Sequence, residues 1–130
     1  GDKTIGIAVS DKSKTIATPI ITIKRKGILK DIEKLLPILE EYDVGGIIFG
    51  LPLSLDGNEN ARTEKVRKFA KELMKSKDIK ITFHDERYSS DVIYKELRRN
   101  SFSKEKIKKK IDQMAASYIL QGFLDSAKLT

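Results

Sequence analysis

Short apolar runs and helix-period stripes alternate along the chain. "KTIGIAVS" (3–10) and "TIATPIITIKR" (15–25) are short, rich in β-branched residues and separated by the polar "DKSK". They predict a β-hairpin. From Ile28 to Tyr42, Leu29, Ile32, Leu35, Leu36 and Leu39 recur at helical spacing, and Pro37 is expected to kink this helix or loosen its last turns. "VGGIIFG" (44–50) is continuously apolar and ends in glycine, as suits a parallel strand covered on both faces. A turn-rich loop, "LPLSLDGNEN", follows. Val66, Phe69, Ala70, Leu73 and Met74 then mark a second helix, starting near Asn60. "DIKITFHD" (78–85) predicts a further strand. Ser89 or Ser90 is a candidate N-cap for a helix to about Arg99, and Ser103 for a last helix to about Leu124.

The predicted order is β-β-α-β-α-β-α-α, which implies an α/β chain with a mixed sheet and helices on both faces. Sites in open α/β sheets lie at the carboxyl ends of parallel strands. That rule directs attention to "FHDERYSS" (83–90), where His84, Asp85, Glu86 and Arg87 follow one another as the strand ends.

Strand alternation puts Ile79, Ile81, Phe83 and Asp85 on one face and Lys80, Thr82, His84 and Glu86 on the other. Asp85 and Glu86 therefore leave the strand on opposite sides. Alone, the pair reads more readily as a polar strand exit that caps the next helix than as a site. The last helix adds a partner. In "KKKIDQMAASYILQGFLD", Asp112, Ala115, Ala116, Ile119 and Phe123 share one stripe, so Asp112 continues the face that packs inward. A carboxylate there requires a hydrogen bond, a cation or a basic partner, and Arg87 is one such partner.

Composition narrows the context. The 130 residues suit a single domain, 1–130, with 39% hydrophobic residues to build a core and no run long enough to span a membrane. There is no cysteine, hence no disulfide framework or thiolate metal site, which fits a reducing cytoplasm. The 26 basic and 19 acidic residues leave a net charge of +7. Such a balance favours a polyanionic partner such as nucleic acid, or reflects a Lys/Glu-rich surface of the kind heat-adapted proteins carry.

With these residues in view, the chain resembles the YqgF/RuvX family. The resemblance rests on "IGIAVSD" (5–11), "ATPI" (17–20), "IIFGLPLSLDGNEN" (47–60), "HDER" (84–87) and "IDQMAASYILQGFLD" (111–125), in the family's order across nearly the whole chain. It implies an RNase H-like fold, a mixed five-stranded sheet flanked by helices, of which four strands are visible here. It implies a nuclease acting in 5′-end maturation of pre-16S ribosomal RNA. By the same resemblance Glu86 and Asp112 are catalytic and metal-holding, and Asp85 and Arg87 support them. The family's third carboxylate stands two positions before the glycine matched by Gly1. Asp2, expected in the turn, and Asp11, at the far end of the next strand, do not take its place. That ligand and most of the central first strand are thus expected upstream of Gly1, since a sheet lacking its central strand would be hard to fold. The other reading is a chain without that ligand.

The mechanism implied is hydrolysis of a phosphodiester with Mg²⁺ or Mn²⁺, hard ions that prefer carboxylate oxygens. His84 is a candidate proton shuttle, or simply a hydrogen-bonding neighbour. "LPLSLDGNENAR" (51–62) leaves a strand's carboxyl end and opens a helix. It reads as an ordinary flexible connection or, as the resemblance implies, a substrate-contacting loop whose backbone amides are candidates to receive phosphate, with Asn58 and Arg62 as substrate contacts. Lys104, Lys106, Lys108, Lys109 and Lys110 lead into Asp112 and suit nucleic-acid backbone contacts, which position without reading sequence. The expected partner is pre-rRNA or a ribosomal precursor, or branched DNA, with no membrane and a monomeric or weakly dimeric chain. A Holliday junction resolvase uses the same carboxylates. A non-catalytic nucleic-acid-binding module is the reading that a missing first-strand aspartate would favour. An actin-type ATPase would need a second lobe that this length does not supply.

Overall fold

The β-branched runs and helical stripes fold where their periods place them. The elements are β1 (Thr4–Ser10), β2 (Ala17–Lys24), α1 (Ile28–Glu41), β3 (Gly46–Leu51), α2 (Ala61–Ser76), β4 (Lys80–Asp85), α3 (Ser89–Arg99) and α4 (Lys104–Lys128). This computed structural model describes residues 3–86, 89–100 and 102–128, without the side chains of residues 89–91, 108–109 and 128. The expected α/β order is reproduced. The chain divides into two compact units, Gly1–Lys24 with Tyr88–Thr130, and Arg25–Arg87.

In the first unit β1 and β2 pair antiparallel, from Thr4 opposite Lys24 to Ser10 opposite Ala17. The register shifts between Ile7 and Ala8, which face Ile21 and Pro19, leaving Ile20 as the extra residue. Pro19 has no amide hydrogen to give a ladder, so a bulge is where it fits. Helix α4 packs on both strands, and α3 packs on α4. Ile93, Leu97 and Ile107 form the buried centre of the α3–α4 contact, with Ile111 and Met114 against it. Ser103 caps α4 as expected, its hydroxyl accepting from the Lys106 amide at 3.2 Å. The helix runs past Leu124 to Lys128. Helix α3 begins at Ser89, and the side chains of both serines expected to cap it lie outside the described residues.

In the second unit β3 and β4 pair in parallel, from Gly46 opposite Lys80 to Leu51 opposite Asp85, joined through α2. Ile32, Leu35, Leu39, Leu51, Phe69, Ala70, Leu73 and Ile79 are buried. Phe69 meets the Phe49 ring edge-on at 5.9 Å. Leu29 and Met74, expected on the inward stripes, are 75% and 49% exposed. Leu29 lies in the first turn of α1 and Met74 in the last turn of α2, at the ends of their helices. Pro37 sits inside α1, yet the helix continues to Glu41. It ends in a Schellman motif: the Val44 amide donates to the Leu39 carbonyl at 2.9 Å and Asp43 to Glu40 at 3.1 Å, with Asp43 at φ 50°.

Among the described residues the strands form two hydrogen-bonded pairs, β1–β2 in the first unit and β3–β4 in the second, and the mixed α/β character expected of an RNase H-like chain is present.

Candidate active site

The carboxyl ends of β3 and β4 lie side by side. Asp85 closes β4 opposite Leu51, and it is exposed. Glu86 stands one residue beyond the strand and is half-buried. Its amide donates to the Leu51 carbonyl at 3.1 Å, so the parallel ladder continues through it. His84, half-buried, is in register with Gly50. The loop that leaves Leu51 therefore starts beside Glu86. Arg87 lies outside the described residues.

That loop is ordered by its own polar groups. Ser54 and Asn58 close a turn, with the Ser54 amide donating to the Asn58 carbonyl at 2.9 Å and Gly57 to Ser54 at 2.8 Å. Gly57 has φ 90°, a conformation glycine adopts at little cost. Asn58, expected to touch substrate, gives its amide group to Asp56 Oδ2 at 2.9 Å and its backbone N–H to Oδ1 at 3.0 Å. A surface pocket of about 450 Å³ opens here, lined by Pro52, Leu53, Ser54, Leu55, Asn60, Ala61 and Arg62. Arg62 is exposed in the first turn of α2. The amides of Arg62 and Thr63 are engaged by Asn60 Oδ1, at 2.9 and 3.2 Å. Phosphate reception by those two amides, one expectation for this loop, meets groups already satisfied.

Asp112 belongs to the other unit. It is half-buried on α4, on the stripe with buried Ala115 and Ile119 that the spacing predicts. Its carboxylate accepts a hydrogen bond from the Thr4 hydroxyl on β1. The helix comes so close to β1 that a Cβ on Gly6 would collide with the Asp112 backbone and stand 2.6 Å from the Gln113 amide nitrogen. Gln121, two turns on, accepts from the Ala17 amide at 2.9 Å and donates to the Thr15 carbonyl at 2.8 Å. It ties α4 to the β1–β2 turn. Lys108 and Lys109 fall on α4 before Asp112, and Lys104, Lys106 and Lys110 are exposed.

The sequence marks Asn60 only as a helix start, and Thr4 and Gln121 carry no signal of their contacts. Asn60 and Thr63 carry the spacing of a capping box at the predicted helix start, a signal that identifies them. Thr4 and Gly6 alternate onto one strand face, but nothing in the sequence says that this face meets Asp112.

A family model described as "RuvX: Holliday junction resolvase" matches residues 1–126. A protein of Paramagnetospirillum magneticum is 44% identical over 126 residues, covering 97% of this chain and 81% of that protein. One from Ruegeria pomeroyi is 44% identical over 125 residues, covering 96% and 81%. One from Rhodopseudomonas palustris strain HaA2 is 42% identical over 125 residues, covering 96% and 78%. All three bear the name "Putative pre-16S rRNA nuclease".

Proposed function

This chain belongs to the RuvX family of Holliday junction resolvases, and from that premise we propose that it is a metal-dependent endonuclease that matures the 5′ end of pre-16S ribosomal RNA in the cytoplasm. The names of its relatives support the substrate. The observation that carries the site is the hydrogen bond from the Glu86 backbone amide to the Leu51 carbonyl. It fixes an acidic residue at the carboxyl end of a parallel pair, beside an ordered loop with a pocket at its base.

Glu86 and Asp112 are the residues that would hold Mg²⁺ or Mn²⁺. Their donor chemistry fits, since a hard divalent ion takes carboxylate oxygens and the chain has no cysteine to compete. Among the described residues no group of three or more acidic or histidine side chains forms a metal cluster. When bound, such an ion lowers the pKa of water and offsets charge on the leaving oxygen. Asp85 and Arg87 support these two residues. Arg62, Lys108 and Lys109 contact the nucleic-acid backbone, and Asn58 acts through the turn it stabilises with Asp56. No described helix is long and apolar enough to cross a membrane.

The family description favours a second substrate, four-way DNA. Cleavage of a pre-16S RNA fragment and of a four-way junction, measured side by side across a Mg²⁺ series, separates the two. Glu86→Gln and Asp112→Asn are each expected to lower the rate on the true substrate by about 10²-fold or more, the scale of removing charge stabilisation from a transition state. Wild-type rates in both variants would overturn the site, whereas a wild type that binds both substrates and cleaves neither would favour a non-catalytic binding module. Affinity should fall steeply with salt if lysines and arginines neutralise phosphates.

A further inference from the structure

Asn60 uses its whole side chain. Oδ1 accepts from the Arg62 and Thr63 amides, which caps α2. Nδ2 donates to the Pro52 carbonyl at 3.2 Å and to the Ser54 hydroxyl at 2.9 Å. Thr63, fully buried, completes the knot: its hydroxyl accepts from the Asn60 amide at 2.8 Å and donates to the Pro52 carbonyl at 3.4 Å. One carboxamide thus ties the start of the loop to its end and to the helix. Capping the helix needs only an acceptor; tying the loop needs the two donors that a carboxamide has and a hydroxyl or carboxylate lacks.

We propose that Asn60 is a positioning residue: its carboxamide holds Pro52–Leu55 and Arg62 as preformed walls of the pocket, so that nucleic acid meets a loop already ordered. The proposal rests on the substrate-contacting role assigned to this loop above. A preformed loop loses less conformational freedom when it binds, so the benefit falls on affinity rather than on the chemical step.

Asn60→Ser separates the two functions. Serine at an N-cap serves as well as asparagine, but it cannot donate to both Pro52 and Ser54. The full chain is assayed with a fluorescent RNA oligonucleotide from the 5′ precursor of 16S ribosomal RNA. Asn60→Ser is expected to unfold like the wild type and to raise KM about tenfold, with kcat within about twofold. Amide exchange at Ser54 and Gly57 should quicken. Ser54→Ala, which removes one acceptor and leaves the cap alone, should raise KM in the same direction by less, and keeps the test open if Asn60→Ser folds poorly. Wild-type KM and exchange in both variants would overturn the proposal while leaving the nuclease reading intact. A wild-type chain that neither binds nor cleaves the RNA would sink the loop's substrate role, and this inference with it.

Discussion

Glu86 and Asp112 hold their places by different means. Glu86 is located by main chain, its amide extending the β3–β4 ladder onto Leu51. Asp112 is located by packing, on a helix pressed against Gly6 and through a bond from the Thr4 hydroxyl. A ladder is indifferent to most side-chain changes because backbone groups make it. A packed contact fails when one atom is added at the point of approach. The placement of Asp112 is therefore the more fragile.

Two glycine substitutions put that difference to the sharpest test. Gly6→Ala drives a methyl into the backbone of Asp112 and Gln113, which cannot rotate away. Overpacking of this kind costs about 1–3 kcal/mol, and it should shift Asp112 as well. On β3, a Cβ at Gly46 would meet only the Lys80 carbonyl oxygen at 3.6 Å, an ordinary contact. Gly46→Ala is expected within about 1 kcal/mol of the wild type, since replacing glycine by alanine where the conformation allows it restricts the unfolded chain. Chemical denaturation of both variants checks this. Equal losses would remove the contrast.

A smaller effect is expected at Thr4. Thr4→Ala removes the hydrogen bond to the Asp112 carboxylate, while Thr4→Ser keeps a hydroxyl there. Groups that orient a metal-holding carboxylate typically matter by about 10- to 100-fold in metal affinity. Thr4→Ala should therefore shift the Mg²⁺ dependence of cleavage to higher concentration by about tenfold at the low end of that range, with rescue in Thr4→Ser. A shift in both variants, or in neither, would assign Thr4 to packing alone.

The same division between main chain and packing explains what the sequence reveals. Strand and helix periods find every element in order, because burial of one face is written at spacing two or 3.6. The stripe through Asp112, Ala115 and Ile119 is found for that reason. Partners across elements are not written in any period. The Thr4 hydroxyl that bonds Asp112 is one such partner, and Arg87, the partner the sequence suggests, lies outside the described residues. Asp31, in the first turn of α1, is 1% exposed and takes the Lys26 amide at 2.9 Å and Arg25 Nε at 3.3 Å. As one acidic residue among charged neighbours it carries no sign of burial. The loop after β3 reads as a connection because turn residues are common to mobile and ordered loops alike. Its own turn bonds, and the reach of Asn60 back to Pro52 and Ser54, show it to be ordered.

The smallest effect contrasts two loops rather than two carboxylates. Asp11 organises the β1–β2 turn as Asn60 organises the β3–α2 loop, but with a charge. Its Oδ1 accepts from the Thr15 amide at 2.8 Å and the Ile16 amide at 3.1 Å, and its Oδ2 from the Ser13 hydroxyl at 2.9 Å. The Thr15 amide foremost, then Ile16, favour the charged form and hold the carboxyl below the ordinary aspartate value of 3.8. A group depressed on folding contributes stability above its unfolded pKa and loses that contribution as pH falls through the folded one. The stability difference between wild type and Asp11→Ala should therefore be constant near neutrality and shrink below pH 3.8. The difference between wild type and Asn60→Ala should stay level over the same range, because an amide does not titrate. Its size should be about 1 kcal/mol, the usual worth of an N-cap. Parallel denaturation series at neutral and acid pH measure both. A pH-independent Asp11 difference would mean that the turn is held by its backbone bonds alone, such as that from the Asp11 amide to the Ile16 carbonyl at 3.1 Å.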